Sequence, residues 1–220
     1  AFLYPLPYDI YKKQSIRRYG FHGISHEYVS VEATKKLKKK TANLIVCHLG
    51  SGCSMTAIKA WKSIDTSMGF TPLEGLMMST RTGDMYPSIA LYLADQKWSI
   101  VRIQKLFNSE SGLKGVSGLK DMRDIMIANG YKIPGYKSPV KLDKTQKYLA
   151  KLALQMFVYR VRKYVGAYTA VLGKVDAIVF TAGIGERNKD IRDLVVKGLP
   201  FKTKVLVVPT NEELMIAKSI

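Results

Sequence analysis

The sequence predicts an α/β fold, a mixed sheet flanked by helices, and three stretches carry this prediction. Residues 44–58, LIVCHLGSGCSMTAI, predict two apolar strands joined by a glycine turn. Residues 177–197 predict a strand that runs through a second glycine motif into a helix. Residues 143–172 repeat apolar side chains every three or four positions, which is typical of a long helix. Strands interspersed with helices in one chain indicate a layered α/β domain.

Composition limits the classes of protein that this chain can belong to. The chain has 220 residues and 47% hydrophobic residues, enough for one large domain or a domain and a half. No apolar run approaches the roughly 18 residues of a membrane span, so we expect no membrane partner. The net charge of +18 suggests a nucleic-acid binder, but the basic residues are dispersed. The only dense run, residues 35–40, ends a helix pattern, and we therefore predict no nucleic-acid partner.

The two cysteines lie on either side of the central turn. Strand alternation and the turn itself disfavour a disulfide between Cys47 and Cys53. Two thiols without further Cys or His residues do not form a zinc site. Free thiols are typical of a reducing compartment, so the sequence predicts a cytoplasmic location.

Two histidines occupy the segment before the central hairpin. Residues 1–20 predict a leading segment with a short strand. Ser25 is predicted to cap a helix that runs from His26 to about Lys38. We interpret His26 as a helix residue that packs or caps. His22 lies in a glycine-flanked turn, where no structural requirement calls for an imidazole, and it is the stronger candidate for function.

The central turn, Gly50, Ser51 and Gly52, has the features of a phosphate-binding loop. Glycines allow positive φ and let backbone N–H groups converge without an intervening Cβ. Strand–turn–strand order argues against the Rossmann fingerprint and the P-loop. An ordinary glycine-rich hairpin is the alternative. A third strand is predicted at residues 60–66.

The segment 67–83 predicts a long binding loop with one cation, Arg81. A guanidinium presents paired donors that match phosphate or carboxylate, and the alternative is a solvated loop arginine.

The remaining predictions are helices at 87–108 and 121–129, a glycine-rich connection at 109–118, a loop at 131–140, strands at 177–181 and 205–208, and a final helix. The apolar stripe of the helix at 143–172 is predicted to be core or a subunit interface.

Several long motifs occur together and in one order. They are RRYGFHGISHEYV, CHLGSGCSMTAI, SIDTSMGFTPLEGLMMSTRTGD, SGLKGVSGL, VFTAGIGERNKDIR and VPTNEEL. With these motifs the chain resembles the acetate kinase (acetokinase) family of the acetate and sugar kinase/Hsp70/actin superfamily. The resemblance covers nearly the whole chain but only the second half of the family's protein.

The resemblance implies a fold, an activity and a set of partners. It implies an actin-like ATPase (ribonuclease H-like) fold, with residues 1–220 as the C-terminal nucleotide-binding domain and the N-terminal domain absent from this chain. It implies reversible transfer of the ATP γ-phosphoryl group to acetate, giving acetyl phosphate and ADP. Mg²⁺ or Mn²⁺ is implied as cofactor, and a homodimer is implied as the assembly.

The resemblance also implies roles for individual residues. The implied catalytic residues are His22, Arg81 and His48. Implied nucleotide and phosphate contacts are Gly50, Ser51, Gly52, Asp121, Met122, Arg123, Gly183, Ile184, Gly185 and Arg187. Phe21 and Pro72 would line the acyl pocket, and Glu212 would contact the metal ion.

Five positions depart from the family pattern. Ser51 replaces Asn, Cys53 replaces Ser, Tyr86 replaces Asp, Met122 replaces an aromatic residue and Arg187 replaces Asn. These changes leave pyrophosphate open as an alternative phosphoryl donor. Propionate or butyrate kinase activity is the alternative for the acceptor. A nucleotide-binding remnant without phosphotransfer is the non-enzyme alternative.

Overall fold

The computed structural model describes residues 2–217, and this part of the chain forms a mixed sheet with helices around it. The strands are β1 (Asn43–Leu49), β2 (Cys53–Lys59), β3 (Lys62–Thr66), β4 (Ala177–Thr181) and β5 (Lys204–Val207). The helices are α1 (Tyr8–Gln14), α2 (Gly23–Lys36), α3 (Ser88–Asp95), α4 (Ile100–Ser109), α5 (Gly112–Ser117), α6 (Met122–Ala128), α7 (Lys144–Leu172), α8 (Ala182–Arg187), α9 (Lys189–Val196) and α10 (Glu212–Ala217). The predicted mixed sheet with flanking helices is confirmed.

The sheet has the strand order β3-β2-β1-β4-β5. The central hairpin pairs β1 with β2 in antiparallel fashion, and Leu49 lies opposite Cys53. On its other side β1 is parallel to β4, where His48 lies opposite Thr181. β3 continues the antiparallel side and β5 continues the parallel side. The central strand therefore ends beside the end of β4, at one edge of the sheet.

The sheet is buried because its central strands are apolar on both faces. β1 and β4 are almost wholly buried, as expected of strands covered on both sides. On one face α2 contributes Val29 and Ala33 to a cluster with Leu44, Val46 and Val179. Helix α2, which follows His22, is thereby held against the strand that carries His48.

Contacts divide the chain into two compact units, each with its own packing. The first unit comprises Ala1–Gly75 and Val161–Ile220, and it contains the whole sheet. The second unit comprises Leu76–Arg160, and it contains α3 to α6.

No helix within residues 2–217 is both long and apolar enough to cross a membrane.

The apolar stripe of α7 is core. The sequence left this stripe open between core and subunit interface. The structure buries it in the chain itself, and its most buried members are Ala150, Ala153, Phe157, Val161, Val165 and Tyr168.

Residues 8–14 form a helix, in the segment for which the sequence predicted a short strand. α1 begins after Pro7, whose fixed φ suits a helix start, and Asp9 lies in its first turn. Ser15 ends the helix in a left-handed conformation. Residue 1 lies outside the described residues, so the prediction there is untested.

Two further boundaries differ from the prediction for local backbone reasons. β3 begins at Lys62 rather than at 60, because Ala60 and Trp61 both have positive φ and form the hairpin turn. The segment 109–118, predicted to be a connection, contains α5. Its glycine Gly118 takes the left-handed conformation that ends the helix, so glycine there marks a helix terminus.

Candidate functional site

The two glycine motifs of the sequence meet at one edge of the sheet. β1 and β4 are parallel, so the turn after β1 and the residue after β4 lie side by side. A Cβ added at Gly50 would lie 3.7 Å from the Cβ of Ala182 and 4.0 Å from His48 Nε2. In α/β folds, ligands bind in the crevice beyond the carboxyl ends of strands, which is where these groups lie.

The turn after β1 is held by its own short contacts. The Gly50 N–H donates to the Gly52 carbonyl over 3.1 Å, and the Cys53 thiol donates to the Gly50 carbonyl over 3.2 Å. Ser51 is exposed at the tip of the turn. Cys47 and Cys53 are both buried, free thiols. Burial raises the pKa of the Cys47 thiol, which keeps it protonated.

Helix α2 begins three residues earlier than the sequence suggested, and Ser25 does not cap it. The helix starts at Gly23, and His22 occupies the cap position in a left-handed conformation with φ 60°. A non-glycine residue in this conformation costs roughly 1–2 kcal/mol. Backbone strain of this kind concentrates at functional sites, and His22 is the residue that the sequence singled out.

The chain's three histidines form one hydrogen-bonded group with two serines, which we call the histidine cluster. The rings of His22 and His48 stack with centroids 4.0 Å apart and planes within 13°. His22 Nδ1 lies 2.9 Å from the Ser54 hydroxyl, and His26 Nε2 lies 2.7 Å from the same oxygen. His48 Nδ1 lies 2.8 Å from the Ser25 hydroxyl. The structure thus brings together His22 and His48, two of the three residues to which the resemblance assigned a catalytic role.

Two of the three imidazoles are held neutral. Burial, followed by the nearby His48 and His22 rings, lowers the pKa of His26 to about 3. Burial and the His22 ring lower the pKa of His48 to about 3. Near neutral pH these rings therefore act as uncharged hydrogen-bonding groups. His26 is a packing residue, as interpreted from the sequence, but its bond to Ser54 also places it in the cluster.

A chain of polar contacts links the histidine cluster to the second glycine motif. The Thr210 hydroxyl donates to the Ser25 hydroxyl over 2.8 Å. The Thr210 N–H donates to Glu186 Oε1 over 3.0 Å, and the same oxygen accepts the Ala182 N–H over 2.8 Å. Ser25 was predicted only as a helix cap, and Ser54, Thr210 and Glu186 were given no role. These contacts join residues far apart in sequence, such as 25 and 210, so no local pattern reveals them.

The second glycine motif is helical rather than a loop. Gly183, Ile184 and Gly185 lie inside α8, which follows β4 directly. The turn is made instead by Ala182, whose φ is +62°. A Cβ added at Gly185 would lie 3.5 Å from the Cys47 carbonyl, so the absent side chain allows α8 to lie close to β1. Gly183 and Arg187 are exposed, and they are the members of the motif that a ligand can reach.

Arg81 belongs to the second unit, where its backbone is fixed by neighbouring segments. The Arg81 carbonyl accepts the Met78 N–H over 3.1 Å, and the Thr82 N–H donates to the Phe107 carbonyl over 3.0 Å. Gly112 makes this fit possible, because its φ is +63° and an added Cβ would lie 2.1 Å from the Met78 carbonyl. The Arg81 side chain is partly exposed, and its Nη1 lies 3.6 Å from Met78 Sδ.

The residues predicted to flank adenine open α6 in the same unit. Asp121 caps the helix by accepting the Arg123 N–H over 2.8 Å, and the Arg123 guanidinium bonds to the same carboxylate over 2.7 Å. This side-chain bond is the main cause that lowers the pKa of Asp121. Met122 is buried, so Asp121 and Arg123 are the two members that reach the surface.

The predicted acyl-pocket residues differ in their surroundings. Phe21 lines a cavity of about 430 Å³ together with Tyr19, Trp61 and Glu27. Pro72 is not among the described residues that line it.

Pro72 lies instead in the segment of residues 67–75, which Arg18 anchors through hydrogen bonds and an ion pair. Arg18 bonds to the Thr66 and Ser67 carbonyls over 3.0 and 3.2 Å, and to Glu74 over 2.6 Å. Glu74 also accepts the Tyr4 hydroxyl, whose pKa is raised to about 12 chiefly by burial.

Glu212, the predicted metal ligand, is exposed at the first residue of α10. Among residues 2–217 no three His, Cys, Asp or Glu side chains group to hold a metal ion. Mg²⁺ in phosphotransferases commonly takes only one or two carboxylates, and substrate phosphates and water complete its coordination. Glu212 fits such a single-carboxylate role, and the described residues do not form a metal cage.

Comparisons with known proteins agree with the motifs. A family model described as the acetokinase family matches residues 1–202. An acetate kinase of Nitratidesulfovibrio vulgaris (strain DSM 19637 / Miyazaki F) is 46% identical over 247 residues, covering 100% of this chain and 58% of the relative. An acetate kinase of Lawsonia intracellularis is 47% identical, covering 99% of this chain and 57% of the relative.

Solved structures give the same result for the fold. Porphyromonas gingivalis acetate kinase matches 100% of this chain and 59% of its own, with 38% identity and a TM-score of 0.88. A propionate kinase from Francisella tularensis matches 99% of this chain and 59% of its own, with 40% identity and a TM-score of 0.87. The predicted actin-like ATPase fold is confirmed. The chain spans a little under three-fifths of the length of these relatives. The chain belongs to the acetokinase family.

Proposed function

We propose that this chain is the C-terminal, nucleotide-binding part of an acetate kinase. The reaction is reversible transfer of the ATP γ-phosphoryl group to acetate. The observation that carries the proposal is the stacked His22–His48 pair beside the Gly50–Gly52 turn, in a chain of the acetokinase family. Ring N–H groups and backbone N–H groups at one sheet edge suit a group that carries negative charge.

In the forward reaction an acetate oxygen bonds to the γ-phosphorus and the bond to the bridging oxygen of ADP breaks. Charge builds on the phosphoryl oxygens, and His22 and His48 donate hydrogen bonds to them. The backbone of Gly50, Ser51 and Gly52 cradles the phosphates. Arg81 supplies a guanidinium that holds the substrate anion and offsets transition-state charge.

ATP or ADP is the proposed co-substrate. The exposed Gly183 and Arg187, with Ile184 and Gly185, form the proposed adenosine site of the first unit. In the second unit, Asp121, Met122 and Arg123 are separately proposed as nucleotide contacts. Bound Mg²⁺, or Mn²⁺, would neutralise charge on the nucleotide phosphates, and Glu212 is the residue that would hold it.

A homodimer in the cytoplasm is the proposed assembly. Helices α3 and α4 of the second unit expose large apolar side chains, which is typical of a surface that another chain covers. They include Leu91, Tyr92, Ile100 and Val101, all more than 60% exposed.

Propionate is the second candidate acceptor. The observation that favours it is the structural similarity to a propionate kinase, at 40% identity. One added methylene changes binding in an apolar pocket by only about 1–3 kcal/mol, so both acids can be substrates of one site.

The test is formation of acyl phosphate, trapped as the hydroxamate. The chain is assayed alone and fused behind the remaining part of a related acetate kinase. Acetate, propionate and butyrate serve as acceptors, and ATP and pyrophosphate serve as donors. We expect ATP-dependent acetyl hydroxamate from the fusion. A fusion that folds and binds ATP but forms no acyl phosphate with either donor would contradict the proposal and support the nucleotide-binding remnant.

A further inference from the structure

The histidine cluster allows few arrangements of its protons. A neutral imidazole carries one N–H donor and one acceptor nitrogen, and a hydroxyl donates one proton. Near neutral pH His26 and His48 are neutral, because burial lowers the pKa of each to about 3. Which ring nitrogen carries each proton therefore follows from the partners that the nitrogens have.

The Ser54 hydroxyl stands between two of the rings. It lies 2.9 Å from His22 Nδ1 and 2.7 Å from His26 Nε2, and Ser54 is fully buried. Its single proton can go to only one of these nitrogens. If both rings donated to Ser54, the serine proton would be left without an acceptor in a buried site. Ser54 therefore donates to one ring and accepts from the other.

The surroundings of His26 determine which of the two rings accepts the Ser54 proton. Its Nδ1 is buried and has no hydrogen-bond partner in the described part of the chain. A proton on Nδ1 would be an unpaired buried N–H, which is rare in folded proteins and costs roughly 1–3 kcal/mol. A proton on Nε2 avoids this cost and donates to Ser54. Ser54 then donates to His22 Nδ1, and His22 carries its own proton on Nε2.

His48, the second ring of the stack, takes the same tautomer because of its contact with Ser25. The Thr210 hydroxyl donates to Ser25, so the Ser25 proton is available for His48 Nδ1, 2.8 Å away. His48 then also carries its proton on Nε2. This is the nitrogen that lies 4.0 Å from a Cβ added at Gly50, so the donor is beside the glycine turn.

We propose that Ser54 and Ser25 are positioning residues that hold His22 and His48 in the tautomer protonated on Nε2. The stacked pair then offers two N–H donors to an anion at the turn, with no change in charge. The identity of that anion as a phosphoryl group rests on the proposed function. The proton arrangement itself rests on the contacts and the burial of the cluster and does not depend on that function.

Nitrogen-15 NMR of the imidazole rings tests the arrangement directly on the 220-residue chain. Only three histidines contribute signals, so each ring is assigned by single substitution. We expect His22 and His48 to show a protonated Nε2 and an unprotonated Nδ1 near neutral pH. A protonated Nδ1 on either ring would overturn the proposal.

Two serine variants then separate the two routes. Ser54→Ala is expected to shift His22 towards a mixture of tautomers and to leave His48 unchanged, and Ser25→Ala is expected to do the reverse. Thr34→Val is the matched control, since it removes a buried hydroxyl of α2 that donates to the Ser30 carbonyl and belongs to neither route. If both serine variants fold and neither moves its ring's signals relative to Thr34→Val, the serines do not set the tautomers.

Kinetics on the fused protein separate this proposal from the proposed function. Ser54→Ala is expected to lower kcat about tenfold or more and to leave the KM for ATP unchanged, because the tautomer acts on the phosphoryl group and not on the adenosine. An equal kcat, in a variant whose His22 signals have shifted, would contradict the role in positioning. Absence of kinase activity in the unsubstituted fusion, with the expected tautomers, would instead refute the proposed function and leave the arrangement standing.

Discussion

The buried histidines predict a loss of stability on mild acidification. Both His26 and His48 have a folded-state pKa of about 3, well below the 6.5 expected in an unfolded chain. Between these values the unfolded state binds more protons than the folded state, so the free energy of unfolding falls as pH falls. The two neutral histidines cost the folded state nothing above about pH 6.5. The free energy of unfolding then decreases progressively as the pH falls towards 3.

The magnitude follows from one pKa unit, which corresponds to about 1.4 kcal/mol. Lowering the pH from about 7.5 to about 5.5 should reduce the free energy of unfolding by a little over 1 kcal/mol for each histidine. For the two together the reduction should be about 2–3 kcal/mol. This value does not depend on how far below 5.5 the folded-state pKa lies. The carboxylates whose pKa values are lowered, such as Asp121 and Asp176, titrate below this window.

The assay is urea unfolding at the two pH values, followed by tryptophan fluorescence. The chain has two tryptophans, Trp61 in the first unit and Trp98 in the second, so Trp98→Phe leaves a reporter of the histidine-containing unit. His26→Gln and His48→Gln should each remove about half of the pH-dependent loss. The same unfolding free energy at both pH values in the Trp98→Phe chain would refute the assignment of buried, neutral histidines.

Two further predictions concern the second unit. Gly112→Ala should destabilise it by about 2–5 kcal/mol, because the left-handed backbone costs roughly 1–2 kcal/mol and the added Cβ meets the Met78 carbonyl. Gly118→Ala is the control, since its φ is +76° but its surroundings are open, and urea unfolding followed at Trp98 should show only the backbone cost. Equal losses in the two variants would contradict the proposed clash. Arg81→Lys should lower kcat of the fused protein about 10²-fold, because an ammonium cannot replace the paired donors, and an unchanged kcat would exclude Arg81 from the site.

The strands and the glycine motifs could be predicted because their signals are local. The apolar runs before Gly50 and Gly183 are short, uninterrupted and followed by glycine, and each is a buried strand of the sheet. Helix α5 was missed because its glycines resemble a connection, although Gly118 only terminates it. The start of α2 was misplaced because His22 adopts a left-handed conformation that its side chain does not reveal.

The candidate site was only partly predictable for a different reason. His22 and His48 were identified from motifs, and the structure stacks them. Ser54 and Thr210 carry no local signal of a role in the site. Their roles arise from contacts across the sheet and between distant segments, which sequence spacing does not encode.

The role of the stacked histidine pair in phosphoryl transfer is tested by comparing His22→Asn with the unsubstituted protein in the hydroxamate assay of the fused protein. Asparagine removes the stacked imidazole but tolerates the left-handed backbone at this position, so folding should be retained. We expect kcat for acetyl phosphate formation to fall by at least about tenfold, with little change in the KM for ATP. An unchanged kcat in a folded His22→Asn variant would show that the stacked histidine pair is not the phosphoryl site.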